Sequence, residues 1–86
     1  MEYNKEGKIN RYYDLDEILR LDLDSDTRKN FETKFGKRVY FDSYGSCKIG
    51  KLCGLEVNYK LSTLYYIIKT EDNNFYIPTY QSITLM

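Results

Sequence analysis

The chain has 86 residues, with 13 basic and 13 acidic side chains and no His, so its formal net charge is zero. At this length about 60–65% of the unfolded surface can be buried, enough for one modest core and one domain, 1–86. Neutrality argues against a wholly basic nucleic-acid binder, and the missing His removes the usual acid–base catalyst of neutral pH.

Residues 1–8 are polar and expected to fray; they contain no apolar stretch of the kind a signal peptide needs. Ile9 to Tyr13 reads as a short strand or an extended lead-in. Asp14 and Glu17 form a D-x-x-E capping box, and Leu15, Ile18 and Leu19 follow at helical spacing, which predicts a helix over 14–21. Leu19-x-Leu21-x-Leu23 is the competing, strand-like pattern. A second helix is predicted from a cap at Ser25 or Asp26, with Phe31 and Phe35 four apart on one face and Gly36 as terminator. Acids at its start and Lys34, Lys37 and Arg38 at its end suit the helix dipole.

After Gly36 the apolar period changes to two. Val39 and Phe41 alternate with Arg38, Tyr40 and Asp42, and Tyr44-Gly45-Ser46 makes a turn. Ile49, Leu52, Leu55 and Val57 continue the pattern, with Gly50 and Gly54 marking a bulge or bend. Leu64 to Thr70 is the most apolar strand and is expected to be central. Glu71-Asp72-Asn73-Asn74 is a turn, Phe75-Tyr76-Ile77 starts a fourth strand that Pro78 breaks, and Ser82 to Met86 supplies a fifth. The composition agrees, because ten Tyr and four Phe with no Ala favour a sheet over a helical bundle. The expected fold is α+β and β-rich: one or two helices over 14–36, then a five-stranded antiparallel small barrel over 37–86.

The run Gly36-Lys37-Arg38-Val39-Tyr40-Phe41, the spacing Gly45-x-x-x-x-Gly50-x-Leu52, the strand Tyr65-Tyr66-Ile67-Ile68-Lys69 and the ending Ser82-Ile83-Thr84-Leu85 resemble the Sm-like barrel. The order of elements is similar to that of the bacterial Sm-like RNA chaperone. The stretch Phe75-Tyr76-Ile77-Pro78-Thr79-Tyr80 resembles the close of an SH3-like domain. The resemblance implies the five-strand small-barrel plan. Of the Tyr-Lys-His stretch with which the Sm-like family helps bind RNA, only Tyr76 is matched, Ile77 and Pro78 standing in the other two places.

Several motifs come close to known sites and miss. Asp22-x-Asp24-x-Asp26 opens like a calcium loop, but Thr27 and Thr33 stand where the loop needs Gly and Glu, so helix capping accounts for the acids. Cys47 and Cys53, separated by five residues, have no further Cys or His to complete a zinc site, and they read as small apolar packing residues. Gly45-x-x-x-x-Gly50-Lys51 is followed by Leu52, where a phosphate loop needs Ser or Thr. No enzyme activity, cofactor or metal is therefore expected. The longest apolar run, Leu64 to Ile68, is far short of the ~20 residues that cross a bilayer, so no membrane role is expected and the cysteines are taken as reduced in a cytoplasmic protein.

Charge is the most informative feature. Residues 14–26 hold six acids (Asp14, Asp16, Glu17, Asp22, Asp24, Asp26) against Arg20, net −5, and residues 27–60 hold eight bases against three acids, net +5. Two non-catalytic functions follow. The acids can engage a basic protein surface, which suits a small regulator or inhibitor of the sort phages and mobile elements encode. Alternatively, Lys34, Lys37, Arg38, Tyr40, Lys48 and Lys51 can hold RNA or DNA, cations on phosphates and rings on bases. The tyrosines Tyr59, Tyr65, Tyr66, Tyr76 and Tyr80 are expected to divide between the core and one exposed barrel face. Oligomeric state is left open by the sequence.

Overall fold

The computed structural model describes residues 9–86, so the fraying expected of residues 1–8 lies outside the described residues. In chain order the elements are β1 (Ile9–Tyr12), α1 (Leu15–Leu19), α2 (Ser25–Lys34), β2 (Arg38–Ser43), β3 (Ser46–Asn58), β4 (Thr63–Lys69), β5 (Asn74–Pro78) and β6 (Thr84–Leu85). The six strands form one antiparallel sheet in the order β5-β4-β3-β2-β6. Strand β3, not β4, is the central one. Its first half pairs with β2 and its second half with β1 along one edge, while β4 occupies the other edge.

The helices begin where local chemistry places them. Asp14 caps α1, accepting from the Glu17 amide, and Asp24 caps α2, accepting from the Thr27 amide at 2.7 Å. The cap of α2 is thus one residue earlier than Ser25. Helix α1 is shorter than the 14–21 expected from spacing, and no basic residue lies in its last turn. Instead the Arg28 guanidinium reaches across from α2 and donates to the carbonyls of Leu19 at 2.6 Å and Leu21 at 3.0 Å, satisfying acceptors that the short helix leaves free. Gly36, beyond the end of α2, is left-handed with φ 77°.

The sheet does not close into a five-stranded barrel. Strand β5 pairs only with β4, and β6 is two residues long and pairs only with β2, at Val39 and Tyr40. The two outer strands therefore stay on opposite sides of an open sheet, and β1 adds a sixth strand from outside the 37–86 stretch. The physical reason lies in what covers the inner face. Ile18 of α1 and Phe31 of α2, both fully buried, pack with Val39, Phe41, Leu52, Leu55, Val57, Tyr66 and Ile68 from the sheet. The helices supply the second layer that a barrel would obtain by curling. Phe31 lies 5.5 Å from the Tyr66 ring, and Asn30 donates to the Tyr66 hydroxyl at 2.7 Å, so the one large polar ring in this layer is satisfied. Burial pushes the Tyr66 phenol up.

A β-bulge sets the phase of the whole sheet. Leu52 faces Ile68 and Gly54 faces Ile67, which leaves Cys53 as an extra residue on β3. Before the bulge, even positions (Gly50, Leu52) face the core; after it, odd positions (Leu55, Val57) do. Without the extra residue one of the two halves would turn its apolar side to water. Deleting Cys53 is therefore expected to abolish cooperative unfolding in a urea titration, whereas Cys53→Ala costs only about 1 kcal/mol.

Candidate functional site

Because both helices cover one face, the other face of the sheet carries no second layer among the described residues. Register and burial identify its residues. Arg11 on β1 stands beside Glu56 on β3, Glu56 beside Tyr65 on β4, and Ile67 beside Tyr76 on β5. At the other end of the same face Arg38 stands beside Lys51, Lys51 beside Lys69, and Tyr40 beside Ile49. Tyr13, Tyr40, Ile49 and Tyr76 are exposed there. Ile67 is fully buried without belonging to the main core. Its strand neighbours on this face are Gly54 and Tyr76. A methyl group on Gly54 would come within 2.9 Å of the Tyr13 ring, so the glycine makes room for that ring to lie against the strand.

Electrostatics divide the face in two. At the aromatic end, Glu56 is nearly buried and accepts from Arg11 Nε at 2.8 Å, while the Arg11 guanidinium sits 5.4 Å from the Tyr76 ring centre. The hydrogen bond to Glu56 raises the Arg11 pKa further above its ordinary value. This cation is occupied. At the basic end, Arg38, Lys51 and Lys69 form a row across three adjacent strands and are all exposed. Among the described residues the only ion pair is Arg11–Glu56, so none of their acids lies within 4 Å of the row's charged nitrogens. Like charges on directly opposed positions of a sheet cost free energy.

The residues expected from sequence divide accordingly. Arg38, Tyr40 and Lys51 come together on the sheet face that no helix covers among the described residues. Lys48 has the opposite parity and projects beside the core side, its Nζ 5.9 Å from the Phe75 ring centre. Lys37 is exposed just ahead of β2, and its carbonyl accepts from the Leu52 amide. Lys34 is elsewhere altogether: its Nζ donates to Asn30 Oδ1 at 2.6 Å and to the Ile83 carbonyl at 3.1 Å, tying the C-terminal segment to α2. Of the acids, Asp14 and Asp24 are engaged as helix caps, while Asp16, Glu17, Asp22 and Asp26 are exposed on the helical side. Cys47 is exposed, not packed, and Cys53 is half-buried at the bulge, where burial pushes its thiol up. Sequence reasoning missed Lys69, Arg11 and Tyr13. Lys69 was within reach, since Tyr65, Ile67 and Lys69 alternate along one side of β4.

The basic row borders a groove of about 840 Å³, walled on its far side by the turn between β4 and β5. No helix among the described residues is long and apolar enough to cross a membrane. In comparisons with known proteins, no family model, no curated sequence and no solved structure matches this chain.

The Asp24 cap has a defined pH signature. The Thr27 amide holds the Asp24 carboxyl below the usual carboxylate range. The cap's ionised contribution is complete above the unfolded pKa of about 4 and is lost as pH falls through the lower folded value. Asp24→Ala is expected to cost about 1 kcal/mol at pH 7, and in urea titrations that difference should shrink toward zero at the most acidic pH the fold survives.

Proposed function

We propose that the protein is a non-catalytic binding module whose bare sheet face holds single-stranded nucleic acid. The observation that carries the reading is the Arg38–Lys51–Lys69 row, which makes no ion pair among the described residues. Three cations side by side on a rigid sheet destabilise the free protein slightly and are complementary to a string of phosphates. The exposed rings of Tyr40 and Tyr76 and the adjacent Tyr13 and Tyr65 stand on the same face. Aromatic rings beside a basic track are what sequence-tolerant binding of unpaired bases uses, each stacked base adding roughly 1–3 kcal/mol. The acids of residues 14–26 lie on the helical side, while Asp42 on β2 and Glu71 and Asp72 in the β4–β5 turn are exposed elsewhere; the excess of acid on the helical side still steers a polyanion toward the sheet face although net charge is zero. The free thiol of exposed Cys47 suits a reducing compartment such as the cytoplasm.

Fluorescence anisotropy with labelled oligonucleotides tests the proposal. Single strands of RNA or DNA should bind with an affinity that falls steeply with salt, and a duplex more weakly. Lys51→Gln and Lys69→Gln should each lower the log–log salt slope by about 1 without moving the urea midpoint. Tyr76→Ala should weaken binding by about 1–3 kcal/mol at every salt concentration. Flat anisotropy curves at low ionic strength would reject this function. A second reading has its own support: Asp16, Glu17, Asp22 and Asp26 remain exposed and uncommitted to caps, which suits capture of a basic protein surface by a regulator or inhibitor. Loss of a stoichiometric protein partner when those four acids become amides, with no oligonucleotide binding, would favour it.

A further inference from the structure

We infer that the groove at the basic end of the sheet is an end-recognition site, which seats the terminal phosphomonoester of a nucleic-acid strand. The inference rests on the single-strand reading and concerns where the strand stops. Arg38, Lys51 and Lys69 line the groove with their row, and Lys48, which projects to the opposite side of β3, lines it as well, so four bases from two neighbouring strands and their central partner border one space. Glu71 and Asp72, in the turn beyond Lys69, form part of the far wall. Four bases against two acids leave the lining net positive, with the acids confined to the wall formed by the turn between β4 and β5.

The backbone contributes a donor as well. Strand β4 ends at Lys69, opposite Lys51, whereas β3 runs back a further five residues to Ser46. Leu52 exchanges hydrogen bonds with Gly36 and Lys37 on the β2 side, its amide reaching the Lys37 carbonyl at 3.2 Å and its carbonyl the Gly36 amide at 2.7 Å. By the alternation of a strand, the Ile49 amide and carbonyl then point the other way, toward the side that β4 has left and the groove that Ile49 lines, so the groove is offered one backbone donor beside one acceptor. The space is of the size of a small-ligand site. A phosphomonoester carries nearly two charges at pH 7 and three free oxygens, against one charge and two free oxygens for an internal diester. Converging cations with an amide donor favour the former.

The test compares 12-mer single strands labelled at one end and carrying either phosphate or hydroxyl at the other, with 5′ and 3′ versions of each. One phosphorylated end should bind about tenfold more tightly than its hydroxyl counterpart, the effect of one added hydrogen bond to a charged group. The polarity that gains identifies which end the groove takes. The preference should fall as pH drops through about 6, where the monoester takes up its second proton. Lys48→Gln, at a position outside the Arg38–Lys51–Lys69 row, should lower the affinity of the preferred phosphorylated strand severalfold more than that of its hydroxyl-ended counterpart. Equal binding of phosphate and hydroxyl ends would overturn the end site and leave the single-strand reading intact. So would a Lys48→Gln variant that weakens all four strands alike. Absence of binding by any strand would overturn both.

Discussion

Between Leu52 and Gly54 the central strand carries one residue more than its neighbour, and the layout of the molecule depends on that insertion. Strand β3 spans 13 residues and serves two partners in succession along one edge, β2 and then β1. Both partners must deliver apolar side chains to the same side: Val39 and Phe41 from β2, Tyr12 from β1. An uninterrupted strand keeps one parity along its length, and the apolar residues of β3 do not: Leu52 is even, Leu55 and Val57 are odd. The bulge at Cys53 reconciles them, so a single core runs beneath both halves.

Once that phase is set, the two faces of the sheet have different fates. The inner face is closed by Ile18 and Phe31 from the helices, and the described residues leave the opposite face without a cover. A single sheet with helices on one side normally presents alternating polar residues to water on the other. Here the solvent side is divided into an aromatic end, where Arg11 is held by Glu56 and Tyr76, and a basic end, where Arg38, Lys51 and Lys69 make no ion pair among the described residues. The acidic residues of 14–26 went to the helices, two of them into caps. A chain with equal numbers of acids and bases thereby becomes a molecule with two sides of unlike charge. Such polarity acts on encounter and orientation of a charged partner more than on stability.

Tyrosine illustrates how one residue type takes two roles by register alone. Tyr65 and Tyr66 are adjacent on β4. Tyr66 points into the core against Phe31 with its hydroxyl held by Asn30, while Tyr65 shares the bare face with Glu56 and Arg11. The division of Tyr65, Tyr66 and Tyr76 between core and one exposed face was legible in the alternation of the strands, whereas Tyr59 and Tyr80, expected to divide the same way, lie exposed in loops beyond β3 and β5. Tyr76, opposite Ile67, follows the same rule. Tyr13 does not, since its place depends on the absence of a side chain at Gly54, a residue far away in sequence.

What the amino-acid order determined by itself was local. Asp14 and Asp24 at helix starts, Gly36 past a helix end, the turn at Tyr44 and Gly45, and the period-two pattern after Gly36 all act over a few residues, through caps, backbone dihedrals and alternation. The tertiary structure alone decided whether the sheet would close, which residues of distant strands would stand side by side, and which charges would be neutralised. Closure failed because the helices filled the inner face first and β6 offered only two residues for pairing. Lys69 became part of the basic row, and Lys34 left it for the Ile83 carbonyl, because cross-strand register and chain return set those distances. Sequence separation does not encode them: Lys51 and Lys69 are neighbours only because β3 and β4 fold back on each other with the phase that the bulge imposes.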